Sequence, residues 1–207
     1  MEYINMEKWD RKEHFEFFYS MDYPQYNICA NIDITKFLAY VKKKQLLFYY
    51  AMIYSSTFVA NQIINFRYRI RKGKVILHDI VHPSFTDIDQ KKLFKLVNVK
   101  MENDIFDFTK KAADQAGKQK EYFALNDHVR RDDLIYITCL PWISFTHVSH
   151  TISLNKDDSV PRISWGKYFT ENNKVLLPFS VQVNHALVDG VHIGQYFSKL
   201  QDFINTK

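Results

Sequence analysis

The chain has 207 residues, a formal net charge of +5, 46% hydrophobic and 16% aromatic residues. That length supports a core that buries about 70% of the unfolded surface without disulfide staples, and the expectation is one domain over residues 1–207. Five glycines and five prolines exclude collagen-like tracts, and two cysteines, Cys29 and Cys139, exclude a secreted disulfide framework, so a cytoplasmic protein is expected.

The segment Met1 to Lys12 has no apolar signal-peptide core, and no run reaches the roughly 18 apolar residues of a membrane span. Residues 34–65 read as helical: Ile34, Phe37, Leu38 and Val41 fall at helical spacing and Asp33 is a cap. From Phe48 to Ile64 the pattern is apolar on most faces but interrupted by Ser55, Ser56 and Thr57, which predicts a buried helix. Residues 66–82 predict a hairpin, with Phe66, Tyr68 and Ile70 alternating with Arg67, Arg69 and Arg71 before the turn Lys72-Gly73-Lys74. Alternation places the three arginines on one strand face, read as solvated. Tracking nucleic-acid phosphates is the competing reading, and no aromatic RNA-binding motif accompanies it. No nucleic-acid or membrane partner is therefore expected. Residues 87–113 are predicted helical and 117–133 a polar loop. Leu134 to Leu140 and Val175 to His185 are predicted strands. Asp189-Gly190 opens a last helix in which Ile193, Phe197, Leu200 and Ile204 recur by four, three and four. Strands interleaved with helices indicate an α/β or α+β domain.

The most informative stretch runs from Asn184 to Gly190. Period-two alternation puts His185 on one face with Phe179, Val181 and Val183, at the end of a buried apolar row. A neutral imidazole at that position suits a general base, although a lone histidine at such a junction is more often a core residue. No metal is expected: there is no HExxH motif, and His78 and His82, four strand residues apart, would sit roughly 13 Å from each other. The serine-hydrolase motif GxSxG is also absent.

The stretch from Gln182 to Gly194 resembles the active-site signature of the chloramphenicol acetyltransferases, which read His-His-x-x-x-Asp-Gly there. The related dihydrolipoamide acyltransferases carry a similar pair. Further likeness lies in Trp9 to Phe18, Ile32 to Thr35, His78 to Pro83, Pro141 to Phe145, Gly166 to Tyr168 and Lys174 to Pro178. The resemblance spans nearly the whole chain and is weakest from about 89 to 133. It implies a two-layer α/β sandwich of the CoA-dependent acyltransferase type, with a mixed sheet packed by helices. It also implies a homotrimer with active sites between subunits, using acetyl-CoA as acetyl donor and chloramphenicol or a related, more polar hydroxyl compound as acceptor, with no acyl-enzyme.

Roles follow from that resemblance position by position. His185 would be the base; Asp189 would pair with Arg11 and hold the turn; Thr138 would donate to the oxyanion; Ser164 would hold a water nearby. Trp142, Lys167 and Tyr168 match positions around CoA. Phe17, Phe18 and Ile152 would wall the acceptor pocket. Asp22, His150 and Arg162 stand where aliphatic residues are usual, so a more polar pocket is expected, with Asp22 pairing with Arg162 or His150. Asn184 replaces the first histidine of the signature, and Leu47 replaces a lysine on the CoA phosphate. These two changes motivate an alternative, a catalytically weakened relative that binds a ligand without turnover.

Overall fold

Period-two patterning in the second half of the chain builds the centre of a mixed sheet, and the long apolar run after residue 48 becomes the helix beneath it. The computed structural model describes residues 1–123, 131–151 and 154–207. In chain order the elements are β1 (Glu2–Tyr3), α1 (Lys12–Tyr19), β2 (Gln25–Asp33), α2 (Thr35–Lys43), α3 (Phe48–Asn61), β3 (Tyr68–Arg71), β4 (Lys74–Leu77), β5 (His82–Ile88), β6 (Phe94–Asn98), α4 (Ile105–Lys118), β7 (Leu134–Leu140), β8 (Arg162–Gly166), β9 (Phe169–Glu171), β10 (Lys174–Asn184) and α5 (Gly190–Asn205). The main sheet has the order β2-β10-β8-β7-β5-β6, with β9 also paired to β10. The β5–β7 and β7–β8 pairs are parallel and the others antiparallel. A small second sheet has the order β1-β4-β3. The α/β sandwich with a mixed sheet is thus as expected.

Strand β10 shows how the two faces differ. Leu177, Phe179, Val181 and Val183 are buried among the helices. Its other face carries Ser180, Gln182 and Asn184, which are buried too. Register extends that polar face across the sheet, since Ser84, Tyr136, Arg162, Gln182 and Asn27 are cross-strand neighbours. Helix α3 packs against α2, α4, α5 and β5. Its Ser55, Ser56 and Thr57 are fully buried because each hydroxyl donates to the carbonyl four residues earlier, at 2.8, 2.7 and 2.9 Å. Asp33 does serve the start of α2, accepting from the backbone N–H and hydroxyl of Thr35 at 3.0 and 2.6 Å. No described helix is long and apolar enough to cross a membrane.

Three expectations need correction. Residues 94–98 form strand β6, not helix: Asp87 faces Lys95 in a five-pair ladder with β5. The strand is only five residues long and turns Lys95 inward, where its ammonium donates to the carbonyls of Ala116 and Gln119, so its period-two signal is too short and mixed to read. Helix α4 starts only at Ile105, where the Asp104 carboxylate accepts from the N–H of Phe106 at 2.6 Å. It runs to Lys118, into the segment read as loop. Part of that loop, residues 124–130, lies outside the described residues.

The third correction concerns the arginines. The hairpin forms as predicted, with Lys72 and Gly73 at φ 50° and 73°, the left-handed pair that a type I′ turn requires. Its arginine face is not solvated. Arg69 is 0% exposed and donates to the carbonyls of Asp132 (2.7 Å), Phe66 (2.9 Å), Tyr68 (2.6 Å) and Leu134. Arg71 forks onto the Asp132 carboxylate at 2.7 and 3.1 Å, and Arg67, in the 3-10 turn before β3, donates to the carbonyls of His78 and Asp79. Arg69 and Arg71 staple the hairpin to the start of β7 and Arg67 is taken up by carbonyls just after β4, so the phosphate-tracking reading loses its surface.

Candidate active site

The turn that follows β10 is fixed from four directions. The N–H of His185 donates to the Pro24 carbonyl at 2.8 Å. The Asn184 side chain accepts from the N–H of Ala186 at 2.9 Å and donates to the Asp158 carbonyl at 3.1 Å. Arg11, at the entry to α1, donates to the carbonyls of His185 (3.0 Å) and Ala186 (3.2 Å) and to both carboxylate oxygens of Asp189. Asp189 opens α5, where its own N–H donates to Nδ1 of His192 at 2.9 Å. The Arg11 bonds hold the Asp189 carboxyl below the usual carboxylate range.

The imidazole of His185 lies flat on Phe18, with ring centroids 3.8 Å apart and planes 9° apart, and tilts against Tyr26 at 4.6 Å. Its Nδ1 sits 3.2 Å from the Asp189 carboxylate but is not aligned for a hydrogen bond, and it is buried without another partner. The side chain as a whole is 33% exposed, so the open edge is the one away from Nδ1, where Nε2 lies. His185 therefore does not prolong the buried row of β10. The strand ends one residue earlier, and the turn takes the ring out of the sheet's alternation.

A second group gathers on the polar face of the sheet. Thr138 and Ser164 are register partners on β7 and β8. Nε2 of His150 is 3.0 Å from the Ser164 hydroxyl. Arg162 reaches the Asp158 carboxylate at 2.7 Å and the Val160 carbonyl at 3.3 Å, and its guanidinium lies 5.7 Å from the centroid of Tyr136. Thr138, His150, Arg162, Tyr136 and Ser84, together with Thr151 and the apolar Leu96 and Ile137, line a recess of about 220 Å³. Burial, helped by the nearby Arg162 charge, pushes the His150 imidazole below its ordinary pKa. The expected Asp22 contacts are not made: Asp22 is exposed, Arg162 takes Asp158 as its partner, and His150 takes Ser164. Phe17 is also largely exposed, edge-on to Phe18. Ile152 lies outside the described residues.

The third group sits on the helix side. Trp142, Lys167 and Tyr168 line one cavity of about 450 Å³ with Phe48, Tyr49 and Trp165. Cys139 also lines it, and burial pushes its thiol up to about 12, which keeps it neutral. Leu47 is exposed at the start of α3, next to Phe48. Thr138 and Cys139 are consecutive on β7, so alternation sets the polar recess and the aromatic cavity on opposite faces of one strand. Neither is lined by His185. A chain of contacts still links the recess to the turn, from Arg162 through Asp158 to Asn184. Sequence reasoning missed Asp158 and Tyr26. Asp158 has no periodic neighbourhood to mark it, whereas Tyr26 faces Val183 only through the β2–β10 register.

The chloramphenicol acetyltransferase family model matches residues 1–201. A chloramphenicol acetyltransferase from Klebsiella sp is 31% identical over 97% of this chain and 92% of its own length. One from Staphylococcus aureus is 32% identical over 98% and 95%. Among solved structures, a chloramphenicol acetyltransferase superposes with a TM-score of 0.92 at 26% identity, covering 98% of this chain and 99% of the other. The Azotobacter vinelandii dihydrolipoamide acetyltransferase shares the fold at a TM-score of 0.70 and 14% identity, over 93% of this chain and 86% of the other. Sequence and fold agree over nearly the full length, and the chain belongs to the chloramphenicol acetyltransferase family of acyltransferases.

Proposed function

We propose that this protein transfers the acetyl group of acetyl-CoA to a hydroxyl of a small acceptor, chloramphenicol being the acceptor its relatives' names supply. The observation that carries the reading is His185. Its ring stacks on Phe18 and tilts against Tyr26, its turn is clamped by Arg11, and its open edge carries Nε2. In a ternary complex, Nε2 takes the proton of the acceptor hydroxyl as the oxygen attacks the thioester carbonyl carbon. The Thr138 hydroxyl donates to the tetrahedral oxyanion, and Ser164 supports that position. Collapse breaks the carbon–sulfur bond, and the departing thiolate recovers the proton from the imidazolium. Arg11 and Asp189 are positioning residues. The aromatic cavity of Trp142 and Tyr168 suits the adenine of CoA, and Lys167 its phosphate.

The site residues fall into separate groups within one chain, and that division supports a site completed by a neighbouring subunit in a homotrimer. A cytoplasmic location is part of the same reading. The test is thiol release from acetyl-CoA with chloramphenicol and other alcohols, for wild type and His185→Ala, together with light scattering. Acceptor-dependent release lost in the variant, and the mass of three chains, are expected. Release that survives in the variant would overturn the mechanism, and a single-chain mass the assembly.

A further inference from the structure

The polar recess beside Thr138 has an unusual lining for a pocket meant to hold an aryl group. Four hydroxyls face it, from Ser84, Tyr136, Thr138 and Thr151. None of the four has a hydrogen-bond partner among the described residues, and Ser84 is fully buried with its Oγ unpaired. Ser84 alone of the four is buried, and a buried hydroxyl without a partner is costly; Tyr136 and Thr138 are half-buried and Thr151 is exposed, so the set offers its donors and acceptors to a partner arriving from outside the chain. The two ionisable groups of the recess are already engaged. Arg162 is neutralised by Asp158 and spread over the face of Tyr136, while His150 is held against Ser164. No uncompensated charge remains to select an anion or a cation.

Resting on the acetyltransferase reading above, we propose that the natural acceptor is a compact, uncharged polyol, such as a sugar or cyclitol, rather than an aryl alcohol. Each of its hydroxyls can donate and accept at once, which suits a buried Ser84 hydroxyl and the three more open ones beside it. An aryl ring in the same place would displace water from all four and return no bonds, the situation in which polar sites discriminate most strongly. The part of the site that this chain encloses, about 220 Å³, has room for one ring of that kind.

The full-length protein and acetyl-CoA are assayed for thiol release with methyl α-glucopyranoside, myo-inositol, the cationic 2-deoxystreptamine and chloramphenicol. The neutral polyols are expected to exceed chloramphenicol and 2-deoxystreptamine in kcat/KM by at least about tenfold. Equal or better turnover of chloramphenicol or of the cation overturns the acceptor class and leaves acetyl transfer standing. Calorimetric titration without acetyl-CoA separates the two readings. Polyol binding that Ser84→Ala and Thr151→Val weaken supports the recess even if no acetyl moves. Absence of polyol binding overturns the proposal. In a separate titration with acetyl-CoA alone, failure to bind overturns instead the reading on which the proposal rests.

Discussion

Arg11 and Asp189 meet in a two-pronged ion pair that ties the first helix to the start of the last one. The same guanidinium also takes the carbonyls of His185 and Ala186, so one side chain fixes the carboxylate and the backbone of the His185 turn together. Both partners are mostly buried, at 12% and 25% side-chain exposure. Arg11→Ala should lower kcat by about 10²-fold, because small misplacements of a base cost that much, while the KM for acetyl-CoA stays near wild type. Arg11→Lys should recover little, since an ammonium cannot reproduce the fork. An unchanged kcat in Arg11→Ala, measured by thiol release, would remove Arg11 from the positioning role.

His185→Ala should cost about 10²–10⁴-fold or more in turnover. Its effect on folding should be small, because the ring is a third exposed and its loss forfeits chiefly the stack on Phe18. Such a stack is worth about 0.5–1.5 kcal/mol. Thermal unfolding and the thiol assay on the same sample separate the two quantities. A variant that loses several kcal/mol of stability would identify His185 as a core residue instead.

Asp132 gives a prediction about pH. Burial alone would raise its carboxyl, but the bonds from His78 (2.9 Å) and Arg71 outweigh burial and hold it well below the usual range. A carboxyl lowered in the folded state contributes stability above the unfolded pKa of about 3.9, and that contribution fades as pH falls toward the folded value. Asp132→Asn should therefore cost about 1–2 kcal/mol at pH 7, a modest figure because the group is only half buried. The gap to wild type should narrow below about pH 4. Urea unfolding at pH 7 and pH 3 measures it, and a gap that widens on acidification would contradict the linkage.

What the sequence reveals follows from how far each pattern persists. Strand β7, the body of β10 and helix α5 keep one period long enough to be read, and their bounds emerge within a residue of expectation. Strand β6 is five residues long and at the sheet edge, with the single charge of Lys95 buried rather than exposed, so no period declares it. Alternation holds for Arg69 and Arg71, whereas Arg67 sits in the 3-10 turn before β3, and it does not tell what covers the two on the strand. The cover comes from Asp132 and Leu134, about sixty residues away. Likewise the sequence placed Arg162 near the acceptor side but not its partner, because Asp158 lies in an aperiodic segment. Asn184 looked like a lost histidine. The structure shows a side chain that joins Ala186 to Asp158, so the substitution keeps the turn tied down.

Trp142 tests the aromatic cavity. A tryptophan 66% exposed contributes little to the core, so nothing in the packing of this chain requires an indole there. What the position offers is a free aromatic face beside Tyr168 and Lys167 at the mouth of the cavity. Base-on-aromatic stacking is worth about 1–3 kcal/mol, and the lower end suits a partly solvated site. Trp142→Ala should raise the KM for acetyl-CoA by about tenfold, the change that 1.4 kcal/mol produces. Its kcat at saturating acetyl-CoA and its melting temperature should stay close to wild type, because neither the His185 turn nor the core is touched. Trp142→Phe should restore part of the affinity by restoring an aromatic face. A lowered melting temperature with an unchanged KM would show that the indole packs instead of binding, and the donor would then have to be sought at another surface.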